Sequence, residues 1–249
     1  MAIIIKSPQE IEIMRQAGRI AAAALAAMVK EIRPGLRTAE LDAVANREIG
    51  IGGAVPSFKG YRGFPASICV SVNNEVVHGI PGDRVLQEGD IVSLDVGAFF
   101  NGYHGDTAVT VAVGEISADA RRLVEVTEGA LAAAIVAARA GKRLGDVSAA
   151  IQDHAEPRGF WVVREYVGHG IGRDMHEEPQ VPNFGPPGIG PLLREGMTLA
   201  LEPMVNTRGW KTQVGENGWT VSTADGGLSA HFEHTIAITD GAAEILTCR

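Results

Sequence analysis

Two kinds of apolar segment alternate along the chain. Long Ala-rich stretches interleaved with charge predict helices, and short unbroken runs of Val, Ile and Leu predict strands. A first helix is expected at Ser7-Pro8-Gln9-Glu10. There Ser7 can cap, Pro8 suits the first turn and Glu10 is the third-position partner of a capping box. It runs to about Ile32, and Arg33-Pro34-Gly35 stops it. A second helix starts at Thr38 and ends at Gly50-Ile51-Gly52-Gly53. Ala66–Val72, Ile91–Val96 and Thr107–Val113 read as strands, Asp119–Ala140 and Gly145–Glu156 as helices. Strand-like pieces return at Met197–Val205, Lys211–Thr220 and His231–Thr239. The intervening Glu178–Leu192 carries five prolines and three glycines, so it is expected to be neither helix nor central strand but a stiff loop lining a site.

The same order of elements occurs twice, and short motifs repeat with it. Arg33–Leu41 matches Arg139–Val147, and Glu88–Asp95 matches Glu195–Glu202. His78-Gly79-Ile80 echoes His169-Gly170-Ile171, and Asp106-Thr107-Ala108-Val109 echoes Glu233-His234-Thr235-Ile236. Units of about 100 residues are too long for solenoid repeats, so two fused half-domains are expected, about 8–115 and 116–245, within one domain spanning 1–249. The alignment pairs Asp95 with Glu202, Asp106 with Glu233 and His78 with His169. A pseudo-twofold axis would bring four carboxylates and two imidazoles to one place.

Composition narrows the function classes. The 249 residues are 45% hydrophobic and 21% charged, an ordinary globular balance. The net charge of −8 argues against a phosphate-backbone binder, and no specific nucleic-acid partner is expected. The longest uncharged apolar run, Ile20–Val29, is too short to span a bilayer, and no secretory signal is visible. Two cysteines, Cys69 and Cys248, make no disulfide framework, so a cytoplasmic setting is expected.

The chemistry lies in the paired acids. Asp95 and Glu202 sit in or at the end of apolar runs, and Glu233 is embedded in another. An unpaired buried charge is very costly. Yet Ile91–Val113 and Met197–Val205 contain no Lys or Arg. Divalent cations are then the expected partners, and two of them balance four carboxylates. His169, in Gly168-His169-Gly170-Ile171-Gly172, has glycines that let backbone approach closely. His176, before the Pro-rich segment, suits a mobile catalytic group. His231 and His234 flank Glu233 as candidates for its surroundings, and His104 and His154 read as surface residues. Oxygen ligands with one imidazole suit Mn, Fe, Co or Zn. A carboxylate-bridged ion pair activates water and clamps a carbonyl, which is hydrolytic chemistry. Cys69 has no base beside it, and no Ser elbow, Walker loop or zinc-cysteine cluster is present.

Asn74–Pro81, Leu94–Gly97, Gly105–Ala108, Gly168–Gly172, Met175–Pro179, Leu201–Pro203 and Phe232–Thr235, in that order, resemble the bacterial-type, type I methionine aminopeptidases over essentially the whole chain. No N-terminal zinc-finger extension and no helical insertion of the type II kind are seen. The resemblance implies the α/β (α+β) "pita-bread" fold, in which two similar halves pack helices on a curved antiparallel sheet. It implies metal ligands at Asp95, Asp106, His169, Glu202 and Glu233, with Asp106 and Glu233 bridging and Glu202 also moving protons. It places His78 and His176 as catalytic residues on the substrate, and a methionine pocket at Tyr61, Phe64, Cys69 and Trp219. Aromatics amid Gly and Pro at Tyr61–Pro65 agree, since a thioether packs well on rings. Phe64 and Met175 depart from the family's usual residues. A monovalent cation, Na or K, would use backbone oxygens near Asn73, Glu75 and Ser229. The implied substrates are N-terminal peptides of nascent chains with a small second residue. Ribosome association and a monomeric state are further expectations. A proline-specific peptidase of the same fold and an inactive binding member are the competing readings.

Overall fold

Helix α1 (Pro8–Glu31) begins where its capping residues put it. In the computed structural model, which describes residues 2–248, Ser7 Oγ accepts from Glu10 N at 3.3 Å and Glu10 Oε2 accepts from Ser7 N at 2.8 Å. The first half continues with α2 (Thr38–Ile51), β1 (Val55–Pro56), β2 (Ile68–Val72), β3 (Glu75–Val77), β4 (Ile91–Phe100) and β5 (Tyr103–Ala112). The second half opens with α3 (Ala118–Ala137), α4 (Leu144–Ala155), β6 (Trp161–Val162), β7 (Gly168–Gly170) and β8 (Glu177–Val181). It closes with β9 (Thr198–Leu201), β10 (Met204–Asn206), β11 (Thr212–Val214), β12 (Val221–Thr223), β13 (Ser229–His231), β14 (Glu233–Ala237) and β15 (Glu244–Ile245).

One antiparallel sheet carries the molecule, in the order β1-β4-β5-β14-β9-β7-β8, with β2 also on β4 and β15 on β14. Helices α1 and α2 enclose one apolar cluster with β2 and β4, and α3 and α4 enclose a second with β9 and β14. Helix α1 crosses β5 at direct backbone contact. A side chain at Gly105 would stand 2.6 Å from Gly18 N, so β5 needs glycine at the crossing, while Gly18 is held to glycine by Leu246 O, 2.3 Å from where its Cβ would stand. The second helix of each half starts alike. Arg37 N donates to Glu40 Oε1 (3.0 Å) and Arg143 N to Asp146 Oδ2 (2.8 Å). The two arginines also make matching isolated bridges, to Val85 and Leu192.

Three expected strands come out differently. Met197–Val205 divides at Glu202-Pro203 into β9 and β10, because proline has no N–H for the ladder. His231–Thr239 divides at Phe232 into β13 and β14, and Lys211–Thr220 contributes only Thr212–Val214. Glu178–Leu192 is not wholly loop: its first residues belong to β8, whose edge position tolerates Pro179.

The pseudo-twofold axis can be read from the ladder. Asp106 and Glu233 correspond if the axis passes through the pair Thr107↔His234. Moving outward, Ala108 pairs with Asp95, whereas its counterpart Thr235 pairs with Ala200. Asp95 therefore corresponds to Ala200, and Glu202 lies two residues further on. Cys69 pairs with Asp95 and His169 pairs with Ala200. The scaffold counterpart of His169 is thus Cys69, not His78, which corrects the pairing drawn from the short motifs.

Candidate metal centre

The cleft forms where two chain segments pass from a small sheet into the large one. β10 and β13 pair with each other in a three-stranded sheet with β6. One segment leaves β9 at Glu202-Pro203 to enter β10. The other leaves β13 at Phe232 to enter β14. Glu202 and Glu233 stand at these two crossings, and Phe232 N donates to Pro203 O at 3.3 Å between them. Asp95 and Asp106 lie on the same face, since Asp106 opposes Gly97, two residues from Asp95. His169 reaches the same face from β7. A second small sheet, β11-β12-β3, sets the remaining wall. Its pair Val221↔Val77 brings Trp219 and His78 to one end.

Ligand atoms of Asp106, His169 and Glu233 lie within 4.8 Å of one another, and all three residues are buried. His169 Nε2 is 3.4 Å from Glu202 Oε1. Asp95 Oδ1, Asp106 Oδ1 and Glu233 Oε1 are buried without a hydrogen-bond partner. Burial pushes all four carboxyls up from their ordinary range, Asp106 to about 7. The neighbouring negative charges add to this at Asp95, Glu202 and Glu233. Burial pulls His169 down to about 4, so its ring is neutral and can present a lone pair. Unpartnered oxygens, mutual repulsion and a neutral imidazole, with no Lys or Arg paired to these acids among the described residues, form a donor set that fits divalent cations.

All eleven residues singled out from the sequence line one cleft of about 650 Å³, counting its open mouth. Phe64 and Trp219 meet edge-on at 5.2 Å, with Cys69 and Met175 beside them in one apolar cluster. Tyr61 has a second task. Its ring stacks on His176 at 5.3 Å, and its hydroxyl lies 2.9 Å from His176 Nδ1. The His176 ring also lies 4.1 Å from that of His169. His78 stands outside the ligand cluster, at φ 60° and edge-on to Tyr166 at 5.8 Å.

Two cleft residues carried no clear signal in the sequence, Phe58 and Arg62. Phe58 lies just outside the Tyr61–Pro65 aromatic motif, whose composition was the available hint. His231 Nε2 is 3.9 Å from Glu202 and 4.0 Å from Glu233, next to the acids as expected. His234 is not: on the alternate face of β14, its Nδ1 lies 2.9 Å from Thr247 Oγ1. His104 is not a plain surface residue either. It is half-buried, with Nδ1 2.9 Å from Ser57 Oγ, and burial draws it down to about 4. His154 is half-buried against Gly129.

Residues 12–240 match the model of metallopeptidase family M24. A methionine aminopeptidase of Bacillus subtilis is 56% identical over 98% of this chain and 99% of its own length. The crystal structure of a methionine aminopeptidase from Thermotoga maritima superposes with a TM-score of 0.99 at 51% identity, covering 100% of both chains. More distantly, a prolidase from Pyrococcus furiosus gives a TM-score of 0.79 at 26% identity, over 99% of this chain but only 66% of that one.

Proposed function

The chain belongs to metallopeptidase family M24 as a type I, bacterial-type methionine aminopeptidase with the pita-bread fold, and from that premise we propose how its residues divide the work. The protein is a metal-dependent hydrolase that removes the N-terminal methionine from peptides whose second residue is small. One observation carries this reading: Asp95, Asp106, His169, Glu202 and Glu233 line a single cleft with an apolar cluster, and the ligand atoms of Asp106, His169 and Glu233 lie within 4.8 Å of one another. The proline-specific alternative is not favoured, since the full-length likeness is to methionine aminopeptidases. The inactive alternative is not favoured either, since all five ligand positions are filled.

In the proposed assignment, those five side chains would hold two divalent ions, Co, Mn, Fe or Zn, and Asp106 and Glu233 would be the residues shared between them. The bound ions would supply polarisation of the scissile carbonyl and an acidified water. Glu202 takes and returns the proton at its carboxylate. The substrate methionine lies against Phe64, Trp219 and Cys69, a soft thioether among rings. Tyr61 bridges this pocket to His176. His176 and His78 hold the substrate backbone by hydrogen bonds from their rings. The Tyr61 hydroxyl at Nδ1 supports this for His176, because it fixes the ring and leaves Nε2 for the substrate. A monovalent cation, Na or K, is proposed at the backbone oxygens near Asn73, Glu75 and Ser229, where Ser229 N already donates to Asn73 O at 2.8 Å.

The physiological substrates are proposed to be nascent chains in the cytoplasm, met by a monomer in association with the ribosome. No described helix is long and apolar enough to cross a membrane. The repeat is proposed to organise one catalytic domain with halves at about 8–115 and 116–245. The test is direct. After exhaustive chelation, hydrolysis of Met-Ala-x should vanish and should return with Mn, Co or Fe. With metal restored, Met-Ala-x, Met-Gly-x and Met-Ser-x should be cut while Met-Leu-x and Met-Lys-x resist. Full activity at confirmed zero metal, or equal rates on Met-Lys-x and Met-Ala-x, would overturn it.

A further inference from the structure

Among the described residues Lys6 is the one buried Lys or Arg, and its ammonium meets Glu177 with both side chains 3% exposed. A buried ion pair is expensive to assemble and is weak evidence of stability by itself. What surrounds this one is informative. Glu177 directly follows His176. Its Oε1 accepts from Arg173 N at 2.9 Å and from Asp174 N at 3.4 Å. The backbone of Gly172 lies against the pair: a Cβ there would stand 2.4 Å from Glu177 Oε1 and 2.8 Å from Lys6 Nζ. The loop 171–176 therefore wraps around the pair. Lys6 itself is anchored, with its N–H donating to Gly196 O at 2.8 Å. A second latch lies outside the first, where Arg173 reaches Glu10 at 3.4 Å and stacks on Tyr103 at 4.6 Å. The N-terminal strap thus grips one loop, and that loop delivers Met175 to the pocket and His176 to Tyr61 and His169.

We propose that Lys6 and Glu177 are positioning residues for His176: the buried pair holds the loop 171–176 so that the His176 ring stays against His169 and Tyr61. The proposal rests on the reading that His176 acts on bound substrate. Neither residue of the pair lines the cleft. Its effect is geometric, and a displacement of about 1 Å in a catalytic group can cost roughly 100-fold in rate.

The test uses the full chain, metal-loaded, as Lys6→Met, Glu177→Gln and the double variant. Glu177→Gln keeps an acceptor for Arg173 and Asp174 but leaves Lys6 unpaired. The double variant carries no buried charge and is the one expected to fold if a single variant does not. Three quantities are read: divalent-metal affinity by calorimetry, the kcat against KM split on a Met-Ala peptide, and the His176 imidazole resonance in ¹⁵N-histidine protein. The expected result in the double variant is unchanged metal affinity and KM within about threefold. Alongside this, kcat falls roughly 10–100-fold and the His176 resonance shifts or broadens. An unmoved His176 resonance, or a kcat loss that only tracks lost metal or lost folded protein, would overturn the proposal. A moved resonance with intact kcat would uphold the positioning and instead defeat the catalytic role given to His176.

Discussion

His78 and His169 separate two accounts of this site, because short motifs make them twins and the ladder does not. Replacing His169 with Ala removes a nitrogen that lies within 4.8 Å of the Asp106 and Glu233 ligand atoms. Outer-shell partners of metal ligands are worth about 10–100-fold in affinity, which sets a floor for losing a ligand itself. One ion should therefore bind at least that much more weakly, and turnover should recover in part at high metal. Replacing His78 leaves the ligand set whole, so both ions should bind as before. Its loss should instead slow turnover by roughly 10²–10⁴-fold, the usual worth of a positioned proton-transfer or hydrogen-bonding group. The backbone at His78 has φ 60°, a conformation that is costly for most side chains. His78→Asn is the better probe than His78→Ala, since asparagine tolerates that region. Calorimetric metal titration of His169→Ala and His78→Asn, paired with kcat on Met-Ala-x, distinguishes the two accounts. A lost metal site in His78→Asn with two sites kept in His169→Ala would refute the assignment.

Three further outcomes are expected. The carboxyl cluster of the metal-free protein is held above its ordinary range, with Asp106 at about 7 against 3.8, so these acids keep protons up towards neutral pH. Divalent metal must displace those protons, so its apparent affinity should rise from pH 5 to 8 in a calorimetric titration; a flat or falling affinity would refute this. Gly18→Ala should destabilise although Ala normally favours a helix interior by about 1 kcal/mol, because the new Cβ would stand 2.3 Å from Leu246 O. Overpacking of about 1–3 kcal/mol lowers Tm by several degrees, and an unchanged or raised Tm would exclude the clash. Tyr61→Phe removes the hydroxyl 2.9 Å from His176 Nδ1 while keeping the stacked ring, so kcat should drop roughly 2–10-fold, the worth of one hydrogen bond, with KM little changed. An unaltered kcat would show that the ring alone orients His176.

The helices were legible because their signals are local. Ser7, Pro8 and Glu10 specify an N-terminus within four residues, and Arg33-Pro34-Gly35 lies just past the other end. The large strands β4 and β5 were legible as apolar runs, although both extend beyond them. Their neighbours were not. β9–β10 and β13–β14 read as two continuous strands because each pair has one hydrophobic pattern. Only the tertiary arrangement shows that the chain changes sheets between them. Pro203 was a visible hint of the first break, whereas nothing in His231-Phe232-Glu233 marks the second. That second break matters most, because it brings His231 and Glu233 side by side from different sheets, with His231 Nε2 4.0 Å from Glu233. His234, a single residue further along β14, is turned away by the pleat.

The acids were legible for a different reason. A carboxylate inside an apolar run with no nearby base announces a cation, whatever the fold around it. The histidines carry no such signal, and the repeat misassigned them. The ladder places His169 opposite Ala200 and Cys69 opposite Asp95. Each half thus offers a donor at one of the two facing positions, but the choice differs: a carboxylate on the inner strand in one half, an imidazole on the outer strand in the other. Glu202 then supplies the missing second-half carboxylate from two residues beyond the symmetric point, where Pro203 ends the ladder. A strictly symmetric ligand set would leave both flanks of the ions equivalent. With Cys69 in place of a second imidazole, the first-half flank becomes apolar and joins Phe64 and Trp219, with the Cys69 thiol held protonated by burial and by Asp95. The broken symmetry therefore has a use. Under the proposed assignment, the same exchange that removes a ligand from the first half creates the apolar wall on which a methionine side chain would lie.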